Sequence, residues 1–478
     1  MAASIALSLV SHTNVGKTTL ARTLLARDVG EVRDAPHVTE FAEQQLLLRS
    51  EAGDELWLWD TPGFGDTARL LRRLRAGDHP LGWLLSQVWD RWRDRAFWGS
   101  QQALRHVRDT SDVVLYLVNA AEPPEAAGYL APEMELLSWI GKPVLVLLNQ
   151  LGPPRDAAAD AADVERWTGR LRHWPLVRRV LPLDAFARCW VHEGALWAAV
   201  HEVLPPARQA AMQALQQAWQ AQRQRGFSDA MAALGTGLAT LSAWREPLDE
   251  RPGLGGALRQ LGGALGLGDG ASPALDAAVQ RLGAAVEDET RRATEALIRL
   301  HGLAGGATGV VLAGLPAQLD LQRRVDEGPA ALLGALLSGA ATGLAADVAA
   351  GGLTLGGGML AGGLLGALGA AGAARGLNLV RGTGRSSVGL GAPALAALAE
   401  GALLRYLAVA HFGRGRGQWR DGEAPPHWRD AVTQALQPEA EALAAAAGDA
   451  AAWQVLLARA ATRALDRLYP GAAQNHAA

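Results

Sequence analysis

The chain has 478 residues, a formal net charge of −3 and a single cysteine, Cys189. Its length predicts two or more domains. The weak negative charge excludes a bulk electrostatic attraction to nucleic acid. One cysteine excludes an internal disulfide, as expected for a cytoplasmic protein. Because the first residues run directly into an apolar, strand-like segment, we expect no secretory signal.

A lysine marks the most informative segment. Lys and Arg together number 45, yet only Lys17 and Lys142 are lysines, and Lys17 lies in S-H-T-N-V-G-K-T-T at residues 11–19. A lysine is a compact point charge that fits between phosphates, whereas a planar guanidinium does not. Residues 5–10 form an apolar run typical of a buried strand, and residues 18–25 have an amphipathic helical pattern. A strand, a tight loop and a helix in this order predict a phosphate-binding loop.

Within this loop, backbone N–H groups and the positive end of the helix are predicted to receive the phosphates. Thr18 is expected to place its hydroxyl on Mg2+, and Ser11 occupies the position where G-x-x-x-x-G-K-[ST] has its first glycine. The loop residues predicted to bind nucleotide are Ser11, His12, Thr13, Asn14, Val15, Gly16, Lys17, Thr18 and Thr19.

A second motif, D-T-P-G, begins at Asp60, directly after the strand-like residues 55–59. An acid at the carboxyl end of a strand can reach Mg2+ through water, and Gly63 can turn its N–H toward a γ-phosphate. Thr39 lies in the intervening loop, where two interpretations stay open: closure over Mg2+ in the triphosphate state, or an ordinary loop residue. The predicted catalytic residues are Lys17, Thr39, Asp60 and Gly63, and the predicted Mg2+ ligands are Thr18, Thr39 and Asp60.

These motifs resemble the Era/TrmE branch of the translation-factor-class P-loop GTPases, over about residues 1–206. A third segment, L-N-Q-L-G at residues 148–152, follows an apolar strand and resembles the guanine-binding N-K-x-D of that family. Gln150 replaces the lysine and Gly152 replaces the acid, which leaves base specificity open. Asn149 can still contact a base edge and brace the phosphate loop.

The resemblance implies further contacts. L-D-A-F at residues 183–186 is similar to the last base-contacting loop, so Asp184 is expected near the nucleotide and the Ala185 N–H at the guanine O6. Asn14 matches the position that helps to bind K+ in this branch. Phe64 replaces the residue that orients water in Ras-like enzymes, so we expect slow hydrolysis. His12 is expected either to assist hydrolysis or to have a structural role.

An insertion at about residues 66–110 is longer than a minimal domain of this family needs. It carries arginines interleaved with Trp83, Trp89, Trp92 and Trp98, and its apolar residues have helical spacing. Three interpretations stay open: a helix pair packed on the domain, a contact with lipid or protein, and RNA binding.

The second half is predicted to be helical. The periodic pattern indicates helices from residue 209 through 219 and beyond, and over 275–300. Three more are expected in the tail, over 393–410, 427–446 and 450–468. Neither metal-ligand nor nucleophile spacing occurs there, so we predict no second catalytic site.

An unusual stretch covers residues 329–374, in which Asp347 is the only charged residue. Small residues recur at every fourth position, a pattern that lets helices approach closely. The residues that form this repeat are Gly358, Gly362, Gly366, Ala370 and Ala374. The pattern predicts a glycine-zipper hairpin, which either enters a bilayer or lies buried in a helical domain.

The whole layout resembles a bacterial group of Era-like GTPases with a C-terminal domain of unknown function. We therefore predict an α/β P-loop NTPase domain with a mostly parallel sheet over 1–206, followed by an all-α, Gly/Ala-rich domain over 207–478. The resemblance implies GTP and GDP as ligands, Mg2+ and K+ as cofactors, and dimerisation through the G domain.

Three functions are considered from the sequence. The first is a GTPase switch acting at the cytoplasmic face of the bacterial inner membrane, with a lipid or membrane-protein partner. The second is a nucleotide-binding scaffold with little hydrolysis that binds a protein. The third is an RNA-binding assembly factor, against which the net charge of −3 counts.

Overall fold

The structure is a computed structural model. It describes residues 2–12, 15–25, 43–61, 64, 67–75, 95–152, 155–185, 190–248, 273–303, 377–381, 386–412 and 426–470. The chain divides into two compact units: one comprises residues 1–225, 410–417 and 468–478, and the other comprises 226–409 and 418–467.

The first unit alternates strands and helices. Its strands are β1 Ser4–Ser11, β2 Glu43–Arg49, β3 Glu55–Asp60, β4 Val113–Asn119, β5 Val144–Asn149 and β6 Val177–Pro182. Its helices are α1 Lys17–Leu25, α2 Thr67–Arg75, α3 Arg95–Thr110, α4 Leu130–Ile140, α5 Ala157–Leu171 and α6 Trp190–Val203, followed by the first part of α7 Pro206–Ala243. This alternation is the pattern of an α/β domain.

One six-stranded sheet, in the order β2-β3-β1-β4-β5-β6, organises this unit. β2 pairs antiparallel with β3, and the remaining neighbours are parallel. β4 and β5 are buried at nearly every position because helices cover both faces of a parallel sheet, which explains their continuous apolar sequences.

Two hydrophobic clusters lie on opposite faces of the sheet. Leu115 and Leu117 of β4 belong to one cluster, whereas Val114 and Tyr116 belong to the other. Successive side chains of a strand point to opposite faces, so one strand contributes to both clusters. The sheet is therefore fixed from both sides, and its carboxyl edge is held firmly in place.

The second unit is mainly helical. It contains the later part of α7, then α8 Pro273–Leu300, α9 Ala392–Ala410, α10 Pro426–Leu436, a 3-10 turn Gln437–Glu439, α11 Ala440–Ala445 and α12 Ala450–Leu468. α9 is buried on all sides from Gly401 to Val409. At Gly235 of α7, an added Cβ would lie 2.8 Å from the backbone nitrogen of Gln454, so the two helices can approach this closely only because residue 235 is glycine.

The fold class predicted from the sequence is confirmed: a G domain with a mostly parallel sheet precedes a helical region. The helical half also contains a small antiparallel sheet that the sequence analysis missed, in the order β7-β9-β8. Its strands are β7 Glu246–Leu248, β8 Leu377–Arg381 and β9 Ser386–Leu390. They are three to five residues long, too short to show a periodic pattern, and β7 lies far from β8 and β9 in the sequence.

Several predictions from sequence fall outside the described residues. They concern Thr13, Asn14, Thr39 and Gly63, the middle of the 66–110 insertion and the 329–374 hairpin. At its two ends the insertion is helical, as α2 and α3. Of the helices that the structure describes, none is both long enough and apolar enough to cross a membrane. The domain boundary at 206 stays a prediction, since α7 begins at Pro206 and the two units divide within that helix.

Candidate functional site

The phosphate-loop sequence connects the end of β1 to the start of α1. Ser11 is the last residue of β1 and Lys17 the first of α1. Gly16 has φ of +92°, and a Cβ there would lie 2.8 Å from Asn149 Nδ2. Both the backbone conformation and the lack of space require glycine at this position.

Lys17 is held inside this loop. Its Nζ donates to Ser11 Oγ at 3.1 Å, and the residue is 9% exposed. Burial lowers the pKa of the Lys17 ammonium from its ordinary value, whereas the charges of Asp60 and Glu133 act in the opposite direction. A buried ammonium at the end of a strand, next to a helix N-terminus, suits a polyanionic ligand.

Thr18 and Asp60 bring two hard oxygen donors together. Thr18 Oγ1 donates to Asp60 Oδ2 at 2.6 Å, and Asp60 ends β3, which lies beside β1 in the sheet. Hydroxyl and carboxylate oxygens are the ligands that Mg2+ prefers, directly or through water. The pair, beside the phosphate-loop lysine, therefore fits a magnesium ion.

Phe64 fills the position after D-T-P-G with an apolar side chain. It is fully buried, and its backbone N–H donates to Ser11 O at 3.1 Å. The side chain packs in the cluster that covers one face of the sheet. A phenyl ring has no hydrogen-bonding group and cannot orient a water molecule.

Asn149 connects the phosphate loop to the loop that follows β6. Its Nδ2 donates to Val15 O at 2.7 Å, and its Oδ1 accepts from the Ala185 N–H at 2.8 Å. Thr23 Oγ1 of α1 lies 3.0 Å from Ala185 O. The Ala185 N–H, which we expected at the guanine O6, here joins the two base-side loops.

Asp184 lies against the segment that departs from N-K-x-D. Its Oδ2 accepts from the Leu151 N–H at 2.6 Å, and the residue is 3% exposed. Gln150 and Gly152 have φ of +61° and +89°, so this segment turns sharply on either side of Leu151. The two loops after β5 and β6 thus meet through Asn149 and through Asp184.

A buried acid behind the phosphate loop was not predicted. Glu133 of α4 is fully buried and lies 2.8 Å from His12 Nδ1, while Tyr116 OH donates to it at 2.6 Å. Thr67 Oγ1, at the start of α2, donates to Glu133 Oε1 at 3.4 Å. Burial raises the pKa of the Glu133 carboxyl, and its hydrogen bonds from His12 and Tyr116 act against this shift.

A sequence signal for Glu133 existed. It lies three residues after Leu130 and four before Leu137, on the apolar face of its helix, where an acid needs partners. The same cluster holds His12, whose ring also stacks on Tyr129 with centroids 4.5 Å apart. Three segments of the phosphate side of the domain therefore meet at one carboxylate.

Comparisons with known proteins agree with this geometry. Residues 6–150 match the family model described as 50S ribosome-binding GTPase. Residues 177–467 match the model described as Domain of unknown function (DUF3482). No protein with a curated description matches the chain.

Similar solved structures include two of Era. One, a mutant from Aquifex aeolicus bound to GDP·AlF4−, is 17% identical with a TM-score of 0.32, over 42% of this chain and 57% of that chain. The other, in complex with MgGDPNP and nucleotides 1506–1542 of 16S ribosomal RNA, is 14% identical with a TM-score of 0.31, over 63% and 90%. A mutant of Toc33 from Arabidopsis thaliana is 16% identical with a TM-score of 0.25, over 39% and 72%.

The two family models follow one another along the chain, and the second begins at the last strand of the six-stranded sheet. The second model alone spans more than half of the 478 residues. The chain therefore belongs to the family defined by Domain of unknown function (DUF3482), and its N-terminal unit is a P-loop GTPase domain.

Proposed function

We propose that this protein is a slow, Mg2+-dependent GTPase that acts as a nucleotide switch. The observation that carries the proposal is the junction of β1, β3 and α1. There the buried Lys17 ammonium lies beside Ser11, and the hydroxyl of Thr18 meets the carboxylate of Asp60 at 2.6 Å. These are the parts that bind and neutralise a transferring phosphoryl group.

Each side chain has a distinct part in this proposal. Lys17 contacts the β- and γ-phosphates as a point charge. Thr18 and Asp60 hold Mg2+, which neutralises charge on the phosphate oxygens when it is bound. By the family resemblance, Thr39 completes the Mg2+ site and Gly63 donates its N–H to the γ-phosphate.

Slow hydrolysis follows from Phe64. Because this buried ring cannot polarise water, the attacking water has to be held by backbone groups or by an ion. By resemblance, Asn14 holds K+ beside the phosphates, so K+ is proposed to stimulate turnover. Dimerisation through the G domain is proposed on the same ground.

The switch is proposed to act at the cytoplasmic face of the inner membrane. Residues 329–374 carry one charge, and the Arg- and Trp-bearing insertion of 66–110 adjoins the segment after D-T-P-G. The second switch responds to the γ-phosphate, so contacts of this insertion would depend on nucleotide state. We propose a G domain over 1–206 and a helical domain over 207–478.

A scaffold with little hydrolysis is the alternative that a specific observation favours. Phe64 lacks a water-orienting group and Gly152 lacks the base-binding acid, as expected of a domain that binds nucleotide without turnover. An RNA-binding assembly factor has weaker support, since the net charge is −3.

The test is calorimetric titration with GDP and ADP in Mg2+ and K+ buffer, with Lys17→Ala. We expect GDP binding that Lys17→Ala abolishes and that Lys142→Ala, which changes the other lysine, leaves intact. GTP hydrolysis in KCl should exceed hydrolysis in NaCl, and Asn14→Ala should remove the difference. Binding without hydrolysis in either salt would favour the scaffold. Absence of binding would end the switch hypothesis.

A further inference from the structure

We propose that Asp184 supplies the base-recognition acid that is missing at position 152, so that the site selects guanine. This inference rests on the proposed function, because it concerns the base of the nucleotide that the site binds. Guanine presents two donors, N1–H and the 2-amino group, on the edge where adenine presents an acceptor. A carboxylate complements the first pattern and repels the second.

Position 152 itself offers no acceptor side chain. Gly152 has φ of +89°, a conformation that side chains rarely adopt, and an added Cβ would have no neighbour within 4 Å. The residue therefore serves the turn of the loop, and the space beside it is open. An acid brought from another loop can serve this region without a clash.

Asp184 is the acid that the fold brings to this segment. Its carboxylate accepts from the Leu151 N–H at 2.6 Å, immediately before Gly152. The neighbouring residue, Ala185, is fixed to Asn149 at 2.8 Å, and Asn149 is fixed to the phosphate loop at Val15. These contacts fix the position of Asp184 relative to the phosphate loop.

A second acid that could be considered for base recognition is Asp160 of α5, which is already paired with a cation. Asp160 accepts from Arg155 Nη2 at 3.3 Å, and the same Arg155 binds Asp163 at 2.6 Å. Burial raises the pKa of the Asp160 carboxyl, the charge and hydrogen bond of Arg155 act against this shift, and the charge of Asp184 makes a smaller contribution in the same direction as burial. Because Asp160 is paired with Arg155, it provides a matched control.

Burial makes the proposed contact selective. Asp184 is 3% exposed, and hydrogen bonds to a carboxylate are stronger away from water. A base that offered an acceptor there would be repelled by the lone pairs of the carboxylate, and polar sites discriminate between close analogues in this way. The predicted preference for GDP over ADP is at least about a hundredfold.

The experiment replaces the Asp184 carboxylate, which only accepts hydrogen bonds, with an amide that can also donate. Xanthine carries a carbonyl where guanine carries the 2-amino group, so an amide N–H complements xanthine. Calorimetry with GDP, XDP and ADP is compared for wild type, Asp184→Asn and Asp160→Asn, with circular dichroism to verify folding. We expect Asp184→Asn to lose GDP affinity by about tenfold or more and to gain XDP affinity by a similar factor. Asp160→Asn should behave as wild type.

The outcomes separate this inference from the proposed function. Wild type that binds GDP and ADP equally, or Asp184→Asn that still prefers GDP to XDP, would overturn the role of Asp184 and leave a nucleotide site. Wild type that binds no nucleotide would refute the proposed function itself. If Asp184→Asn binds neither base, Asp184→Glu, which keeps the carboxylate, decides: GDP preference in this variant supports the inference, and loss of GDP preference refutes it.

Discussion

Single charged residues decide the chemistry on the phosphate side of the domain. Lys17 and Glu133 are both buried, and each perturbs the pKa of the other in the direction that favours the ionised pair. Glu133 also receives hydrogen bonds from β4 and from the phosphate loop. A buried acid that serves several donors stabilises a structure only while all of them remain paired.

We therefore expect Glu133→Ala to lower the free energy of unfolding of the first unit by about 1–3 kcal/mol, because the buried hydroxyl of Tyr116 and the half-buried ring of His12 lose their partner. Glu133→Gln keeps an acceptor oxygen and should cost less. Urea denaturation of the full chain measures both. Glu135→Gln, two residues along the same helix, is the control. Equal stability of the Ala and Gln variants would show that the hydrogen bonds contribute little.

At the scale of an element, α9 combines complete burial with one unexplained charge. Arg405 is 5% exposed, and burial lowers the pKa of its guanidinium to about 10. Within the described part of the chain it forms no ion pair with an acid, and its Nε has no hydrogen bond. Arg463 of α12 differs, since it donates to Ala435 O at 3.0 Å and to Glu439 at 2.6 Å. Burial of the Arg405 charge therefore costs desolvation free energy, whereas Arg463 forms hydrogen bonds that hold α12 against the segment from Ala435 to Glu439.

Arg405→Met and Arg463→Met should consequently have opposite effects. An apolar side chain of similar length at 405 removes a desolvation penalty, so we expect unchanged or increased stability, by up to about 4 kcal/mol. At 463 the change removes several hydrogen bonds and should lower the melting temperature. Differential scanning calorimetry of the two variants compares them. A marked loss of stability in Arg405→Met would mean that this guanidinium has an anionic partner.

The whole molecule combines a P-loop GTPase domain with a second half that is mainly helical in the described residues. One family model matches residues 6–150 and the other matches residues 177–467, so the second begins within the α/β unit, at the first residue of β6. The membrane proposal depends on the sequence of residues 329–374, since none of the helices in the described ranges is long and apolar enough to span a bilayer. Salt weakens binding to a membrane through charged side chains, but it does not weaken insertion of apolar residues into the bilayer.

Flotation with vesicles of phosphatidylethanolamine and phosphatidylglycerol tests the membrane proposal. If the apolar residues insert, the full chain should float with the vesicles at both low salt and 1 M salt, because hydrophobic burial is not screened. Binding that salt removes would instead indicate contact through the arginines of 66–110. Protein that stays at the bottom of the gradient in both conditions would contradict membrane action.

Much of the fold and part of the site could be predicted from the sequence. The strand before Ser11, the helix after Lys17, the strand ending at Asp60 and the tail helices all follow from local periodicity and from motifs of a few residues. Periodicity and short motifs depend only on residues that are close in sequence, so they can be recognised without knowledge of the tertiary structure. The small sheet of β7, β8 and β9 was missed because its strands are short and because β7 is far from β8 and β9 in the sequence.

The amino-acid sequence by itself predicted a phosphate-binding site with Lys17, Thr18 and Asp60, and it placed Gly152 where the family that it resembles has an acid. Only the tertiary structure decided which groups meet across long separations. Glu133 reaches His12 over 121 residues, and Asp184 reaches Leu151 over 33. These partners come together because parallel strands bring their carboxyl ends to one edge of the sheet, and no local pattern encodes which side chains face each other there.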